Sequence, residues 1–220
     1  MRGDIVLAAD WATISSFATA LGTLVLAVAT FSAVRSSNRS ARIAEEAFQV
    51  NLRPVLVSSR LDDPVQKIRW VDDHWARLEG SRASAEVVDG SIYLAISLRN
   101  VGSGLAVPFG WSVVTELVRG TGPHAAPEDF RMQTRDLYIA PGDMGFWQAA
   151  IREAADPDYA ALSKDIQDGQ PFTIDILYGD HEGGQRTITR FGIIPLRTDD
   201  ETKWFPNVAR HWNLDRPDPR

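Results

Sequence analysis

Two short stretches carry side chains suited to chemistry. Asp180-His181-Glu182 lies within the run Tyr178 to Thr187, and Asp72-Asp73-His74 forms a second acidic cluster with an imidazole. Carboxylates and imidazoles ligate divalent metals and exchange protons near neutral pH, so all six residues are candidate metal ligands or acid–base groups. Adjacent residues of an extended loop point in divergent directions, so three in a row do not converge on one ion by themselves. A carboxylate–imidazole metal site could be built from both if the two stretches met, and the rival reading is a membrane-bound, metal-dependent hydrolase using the Asp180-His181-Glu182 loop. Each stretch also reads as a hairpin turn. Gly179, Gly183 and Gly184 permit positive φ around the first, and strand-like segments flank the second.

Aromatic side chains offer a different chemistry. Of the 7 Trp, Trp70, Trp75, Trp111 and Trp147 fall in strand-like segments, where large rings fill cores. Trp204 and Trp212 lie among Pro and Arg near the carboxyl end and are candidate partner-binding residues on an exposed aromatic surface. Other signatures are missing from the sequence. It has no G-x-x-x-x-G-K-[ST] phosphate loop, no G-x-G-x-x-G after a strand, no G-x-S-x-G elbow and no H-E-x-x-H. With no Cys there is no thiolate metal site, thiol nucleophile or disulfide framework. No cofactor is expected, and the balance leans away from an enzyme.

The elements that would position these residues are mostly strands. From Pro54 onward the apolar period is two. Ile92, Leu94, Ile96 and Leu98 share one face, and Tyr93, Ala95, Ser97 and Arg99 share the other. Asp89-Gly90 before them is a hairpin signal. Further strands are predicted at Trp111 to Val118, Leu137 to Ile139, Met144 to Ala150, Phe172 to Tyr178 and Arg186 to Ile194. One helix interrupts the pattern, with Asp156 as cap, Pro157 at its first position and Gly169 at its end. Its Tyr159, Leu162 and Ile166 line one face, suited to an open edge or end of the sheets. Short strands with frequent turns predict a mainly β fold, a two-sheet sandwich with one short helix. This domain spans residues 54–200, and residues 201–220 are expected to fold back on it as a C-terminal segment.

Two turn signatures sharpen the fold class. Asn100-Val101-Gly102-Ser103-Gly104 follows the best strand, and Ala140-Pro141-Gly142-Asp143 separates two others. These turns resemble those of bacterial immunoglobulin-like domains. The order of parts resembles a broad group of uncharacterised bacterial membrane-anchored proteins. In that group one membrane helix and a short stalk lead into an arginine–proline strand, here Arg53 to Val57, and a turn like Leu98 to Gly104. The resemblance implies an immunoglobulin-like β-sandwich and carries no catalytic residues.

The strongest pattern precedes all of this. Trp11 to Val34 holds no charged side chain, and Asp10 and Arg35, Arg39 and Arg42 close it. A helix of that length reaches about 36 Å against a hydrocarbon core of about 30 Å. Its polar members are only Ser and Thr, whose hydroxyls can bond back to helix carbonyls. Residues 11–34 therefore read as a transmembrane helix in contact with the lipid bilayer. Trp11, Arg35, Arg39 and Arg42 sit at the membrane interfaces, and residues 35–53 form a helical stalk. The Arg cluster places the soluble domain on the cytoplasmic side and residues 1–10 outside, as a short extracytoplasmic tail. A cleaved signal peptide with a small-x-small site at Ala27-Val28-Ala29 is the rival, which would make this an exported protein. Ala18 with Gly22, and the stalk seam Val34, Ala41, Ala44 and Phe48, hint at a homodimer.

Charge narrows the partners. Arg2, Arg35, Arg39 and Arg42 balance Asp4, Asp10, Glu45 and Glu46, so the net charge of −6 belongs to the rest of the chain. That excludes nonspecific nucleic-acid binding, which needs clustered cations. The expectation is a single-pass cell-membrane module that presents loops or an edge strand to an unidentified protein partner.

Overall fold

The computed structural model describes residues 3–120, 122–198 and 201–218. The chain forms two compact units, Met1–Val50 and Asn51–Arg220. The first is one uninterrupted helix, α1 (Gly3–Asn51), of 49 residues. Helix thus begins inside the segment expected to be a tail. Within α1, Thr13–Glu45 is long and apolar enough to cross a membrane, and none of its most apolar window is buried. A signal sequence meets the same test of length and composition. Hydroxyls bond back along the helix as expected: Thr19 Oγ1 donates to Ser15 O (2.9 Å), Thr23 Oγ1 to Thr19 O (2.8 Å) and Thr30 Oγ1 to Leu26 O (2.8 Å). Phe17, Leu24 and Phe31 are exposed, as are Trp11, Arg35, Arg39 and Arg42. Arg2 and the Phe48 side chain, which entered the orientation and seam arguments, lie outside the described residues.

The second unit is built from β1 (Leu56–Ser58), β2 (Gln66–Arg69), β3 (Trp75–Leu78), β4 (Ala83–Val88), β5 (Ser91–Asn100), β6 (Val107–Val114), β7 (Arg131–Met132), β8 (Met144–Ile151), α2 (Tyr159–Asp168), β9 (Phe172–Gly179), β10 (Arg186–Arg197) and β11 (Thr202–Asn213). By pairing, this is one nine-stranded antiparallel sheet plus the two-stranded sheet β2–β3. Only the residue pair Ala83–Trp204 joins β4 to β11. On one side of that joint lie β1, β4, β5 and β8, and on the other β11, β10, β9, β6 and β7. Apolar residues of both parts share one core: Leu94, Ile96 and Trp147 from the first, and Trp111, Ile174, Ile176 and Phe191 from the second. Trp111 and Trp147 meet edge to face at 5.7 Å.

Both parts are also covered from outside. The β2–β3 hairpin lays Ile68, Trp70, Ala76 and Leu78 on Tyr93 and Ala95, and the Trp70 indole donates to Ala149 O (3.0 Å). The second face of β5 is therefore also interior at Tyr93 and Ala95. Across the molecule, Phe130 and Trp212 pack on Leu177 and Ile188, so β9 is buried on both faces. Leu162 and Ile166 of α2 enter the main core, as their spacing predicted. Gly169 ends α2 in the left-handed region at φ 57°. The regular helix starts later than expected, at Tyr159; ahead of it the Asp156 carboxylate accepts the Asp158 N–H (2.9 Å) and pairs with Arg131. The expected C-terminal segment is in fact β11, a full strand of the sheet paired with β10 from Thr202 to Asn213.

Candidate functional site

The Asp180 stretch is the tip of the β9–β10 hairpin. Asp180 accepts the Gly184 N–H on its side chain (2.9 Å), and Gly183 takes φ 75°. His181 and Glu182 point into solvent, 59% and 72% exposed, with 4.0 Å between imidazole and carboxylate. Asp72-Asp73-His74 is the β2–β3 turn, with Asp73 at φ 62°. Among the described residues no group of three or more His, Asp or Glu side chains, in these two stretches or elsewhere, could hold a metal ion.

The second stretch has a different set of partners. Asp72 accepts from the Tyr93 hydroxyl (2.8 Å) and from Arg152 Nε (2.8 Å). The Arg152 bond, aided by Tyr93, holds the Asp72 carboxyl down to about 2. His74 stacks on Tyr93 at 3.9 Å, and its Nε2 lies 3.1 Å from Glu86 Oε2. Ser84 Oγ donates to the other oxygen of Glu86 (2.7 Å). Asp73 pairs with Arg69. These bonds lock the hairpin turn onto β4 and β5.

Glu86 also lines a cleft that no sequence motif announces. The cleft holds about 340 Å³ and lies where β4 and β11 separate after their single pair. Its walls are Val65, Arg77 to Glu79, Arg82 to Glu86 and Glu201 to Trp204. Arg82 is the organised cation here. Its guanidinium stacks on the Phe205 ring at 3.9 Å, and Nε lies 3.6 Å from the Glu79 carboxylate. The carboxylate of Glu201 is paired with Lys203 (2.7 Å). Arg77 and Arg82 are near neighbours in sequence, but Lys203 joins them from β11, far along the chain, so the grouping is invisible before folding.

The two turn signatures meet elsewhere, where the chain leaves α1. Asn100 Oδ1 accepts from Val55 N (3.2 Å) and Gly102 N (3.0 Å), and its Nδ2 donates to Gly104 O (2.6 Å) and Ile139 O (3.0 Å). Val101 N donates to Val55 O (2.8 Å) and Ser103 N to Arg53 O (3.1 Å). A side chain at Gly104 would overlap the Leu52 carbonyl, and one at Gly102 the Arg53 carbonyl. Arg53 is buried and donates to Thr187 Oγ1 (3.1 Å), Asn213 Oδ1 (3.1 Å) and Asp215. Nearby, Tyr178 accepts from Leu56 N (3.1 Å), and burial pushes its hydroxyl up to about 12. The arginine–proline strand and the Asn-x-Gly turn thus form one clasp that fixes the start of the strand-rich unit.

The tryptophans correct two expectations. Trp204 and Trp212 are 5% and 6% exposed, so neither forms an exposed contact surface. Trp204 packs edge to face on Phe172 at 5.4 Å, and Trp212 lies under Arg190 at 4.8 Å. Both sit on β11, which pairs along its length with β10. Trp75, expected in a core, is instead 58% exposed, with Arg69 5.5 Å above its ring. It occupies the outward face of β3, opposite Ala76 and Leu78.

No family model matches the chain, and no curated protein does either. A crystal structure of a protein from Archaeoglobus fulgidus is similar over 62% of this chain and 97% of its own, at 11% identity and a TM-score of 0.26. So slight a likeness assigns neither fold nor activity.

Proposed function

We propose that this protein is a non-enzymatic binding module held at the cell membrane by α1, with the strand-rich unit on the cytoplasmic side. In this reading the two parts of the sheet are the leaves of an immunoglobulin-like sandwich, and a protein partner docks on them. The observation that carries it is the cleft between β3, β4 and β11, a preformed concavity lined by oriented charged groups beside an interrupted strand pairing. Its volume lies in the lower range of recognition sites, about 300–1,000 Å³. The anchor reading draws on the exposed apolar run of α1 and on Arg35, Arg39 and Arg42 just beyond it.

Photo-crosslinking in native membranes tests the module. A photoreactive residue at Val65, in the cleft wall, is expected to trap a specific partner, whereas one at Val101, exposed in the clasp turn, traps none. Identical adducts from both positions, or none from Val65, would sink the proposal. Replacing Asp180, His181 and Glu182 together by Ala is expected to leave the Val65 adduct unchanged.

A further inference from the structure

Two features of the cleft point to one kind of occupant. The first is the edge of β4. In an antiparallel ladder, residues alternate between pairs that exchange hydrogen bonds and pairs whose N–H and C=O groups face the other way. Ser97 N donates to Arg82 O (3.0 Å), one step before the Ala83–Ile96 pair. Arg82, Ser84 and Glu86 therefore direct their backbone groups to β5, and Ala83, Ala85 and Val87 turn theirs away from it. Ala83 meets Trp204 of β11, and that pairing stops there. Beyond Ala83, no strand lies along this edge among the described residues. An open edge is a template for an extended chain.

The second feature is Arg82. Its Nε and Nη1 are buried, with Nε 3.6 Å from the Glu79 carboxylate, which leaves Nη2 as the nitrogen that an incoming group can reach. Stacking on Phe205 fixes the direction of the guanidinium. Arg77, exposed on β3, lines the same cleft. The carboxylates of the lining are already engaged: Glu86 with Ser84 and His74, Glu201 with Lys203, and Glu79 toward Arg82. What remains unmatched is donor capacity on arginine, which an incoming carboxylate would satisfy.

We infer that an extended acidic peptide segment of a protein partner adds to the edge of β4 in this cleft. Its backbone pairs with Ala85 and Val87, and one of its carboxylate side chains meets Arg82 and Arg77. This rests on the binding-module reading and specifies what the module binds. Side chains of an extended segment alternate, so every second one faces Arg82. Recognition then asks for Asp or Glu at one position and accepts β-branched residues around it.

The test pans a random displayed peptide library against the full-length protein in lipid nanodiscs, in parallel with Arg82→Gln and Ala85→Pro. The proline removes an outward N–H while leaving the β4–β5 hydrogen bonds intact. Near-ultraviolet circular dichroism checks that each variant folds, and Arg82→Gln stands alone if the proline variant does not. Wild type is expected to enrich peptides rich in Asp or Glu and in β-branched residues. Such peptides should bind Arg82→Gln at least about tenfold more weakly. Isotope-edited infrared spectra of a bound, carbonyl-labelled peptide should show strand absorption. No enrichment over empty nanodiscs, equal binding to Arg82→Gln, or a helical bound peptide would each overturn the inference. Failure of the module reading is separable: a Val65 adduct made by a neutral or helical partner segment removes this inference alone, whereas no adduct removes both.

Discussion

Asn100 is fully buried, and its amide accepts two backbone N–H groups and donates to two carbonyls. Replacing it by Ala takes that partner from Val55 N, Gly102 N and Gly104 O, while Ile139 O keeps the Ala106 N–H. Asn100→Ala is expected to destabilise the strand-rich unit by about 3 kcal/mol, read from the urea midpoint of Trp fluorescence. This residue was legible beforehand, because Asn-x-Gly after a strand is local turn chemistry. Asp72 was legible as a turn residue and candidate ligand but not by its partner, since Arg152 lies just beyond β8, far along the chain. Its carboxyl sits at about 2 in the folded chain against an ordinary 3.8. Between these values the unfolded chain takes up a proton that the folded chain refuses. The contribution of Asp72 to stability is therefore complete above its ordinary value and is lost as pH falls through about 2. The stability difference between wild type and Asp72→Asn should stay constant above about pH 5 and shrink steadily below it. A difference independent of pH down to 2 would show that the Arg152 and Tyr93 bonds do not act on the folded state.

At the scale of elements, β9 and β10 carry a charged pair inside an otherwise apolar layer. Arg190 and Asp175 are 1% and 2% exposed and joined by two bonds, Nε to Oδ1 at 2.8 Å and Nη2 to Oδ2 at 2.7 Å. The guanidinium also donates to Gly122 O (3.2 Å) and Pro123 O (3.0 Å), so the pair straps an otherwise irregular segment across the sheet. Arg190→Met leaves a buried carboxylate unpaired and is expected to cost about 3–5 kcal/mol, whereas Arg190→Met with Asp175→Leu recovers most of it. Thermal unfolding of the three variants distinguishes a charge effect from a packing effect. Periodicity found most strands and α2, because one buried face suffices to set a period. It erred where a second layer covers the other face. It gave Tyr93 and Ala95 a second face but not the β2–β3 hairpin that closes over it, and Trp75 looked inward although the core of that hairpin is made by its neighbours Ala76 and Leu78. The cleft escaped for the same reason: its arginines and lysine come from β3, the start of β4 and β11, and only the split between strands brings them together.

The whole molecule turns on which side of a membrane the strand-rich unit occupies. Arg35, Arg39 and Arg42 follow the apolar run within three turns of helix, and the proposed cytoplasmic placement rests on the positive-inside bias applied to that flank. The absence of Cys makes this directly measurable, because any introduced thiol is the sole one. Val101→Cys places a thiol at an exposed position of the clasp turn, on the strand-rich unit. In intact cells a membrane-impermeant maleimide should leave it unlabelled, and the same reagent should label it fully after lysis. Changing Arg35, Arg39 and Arg42 together to Glu removes the retaining charge and should raise labelling in intact cells. Amino-terminal sequencing of the same material separates the exported reading from an inverted anchor. A mature chain starting near Thr30, labelled from outside, means that the apolar run is a cleaved signal. An intact amino terminus with outside labelling means an anchor of opposite orientation. In either case the acidic segment that meets Arg82 would have to be sought outside the cytoplasm, so the orientation decides which compartment can supply the partner.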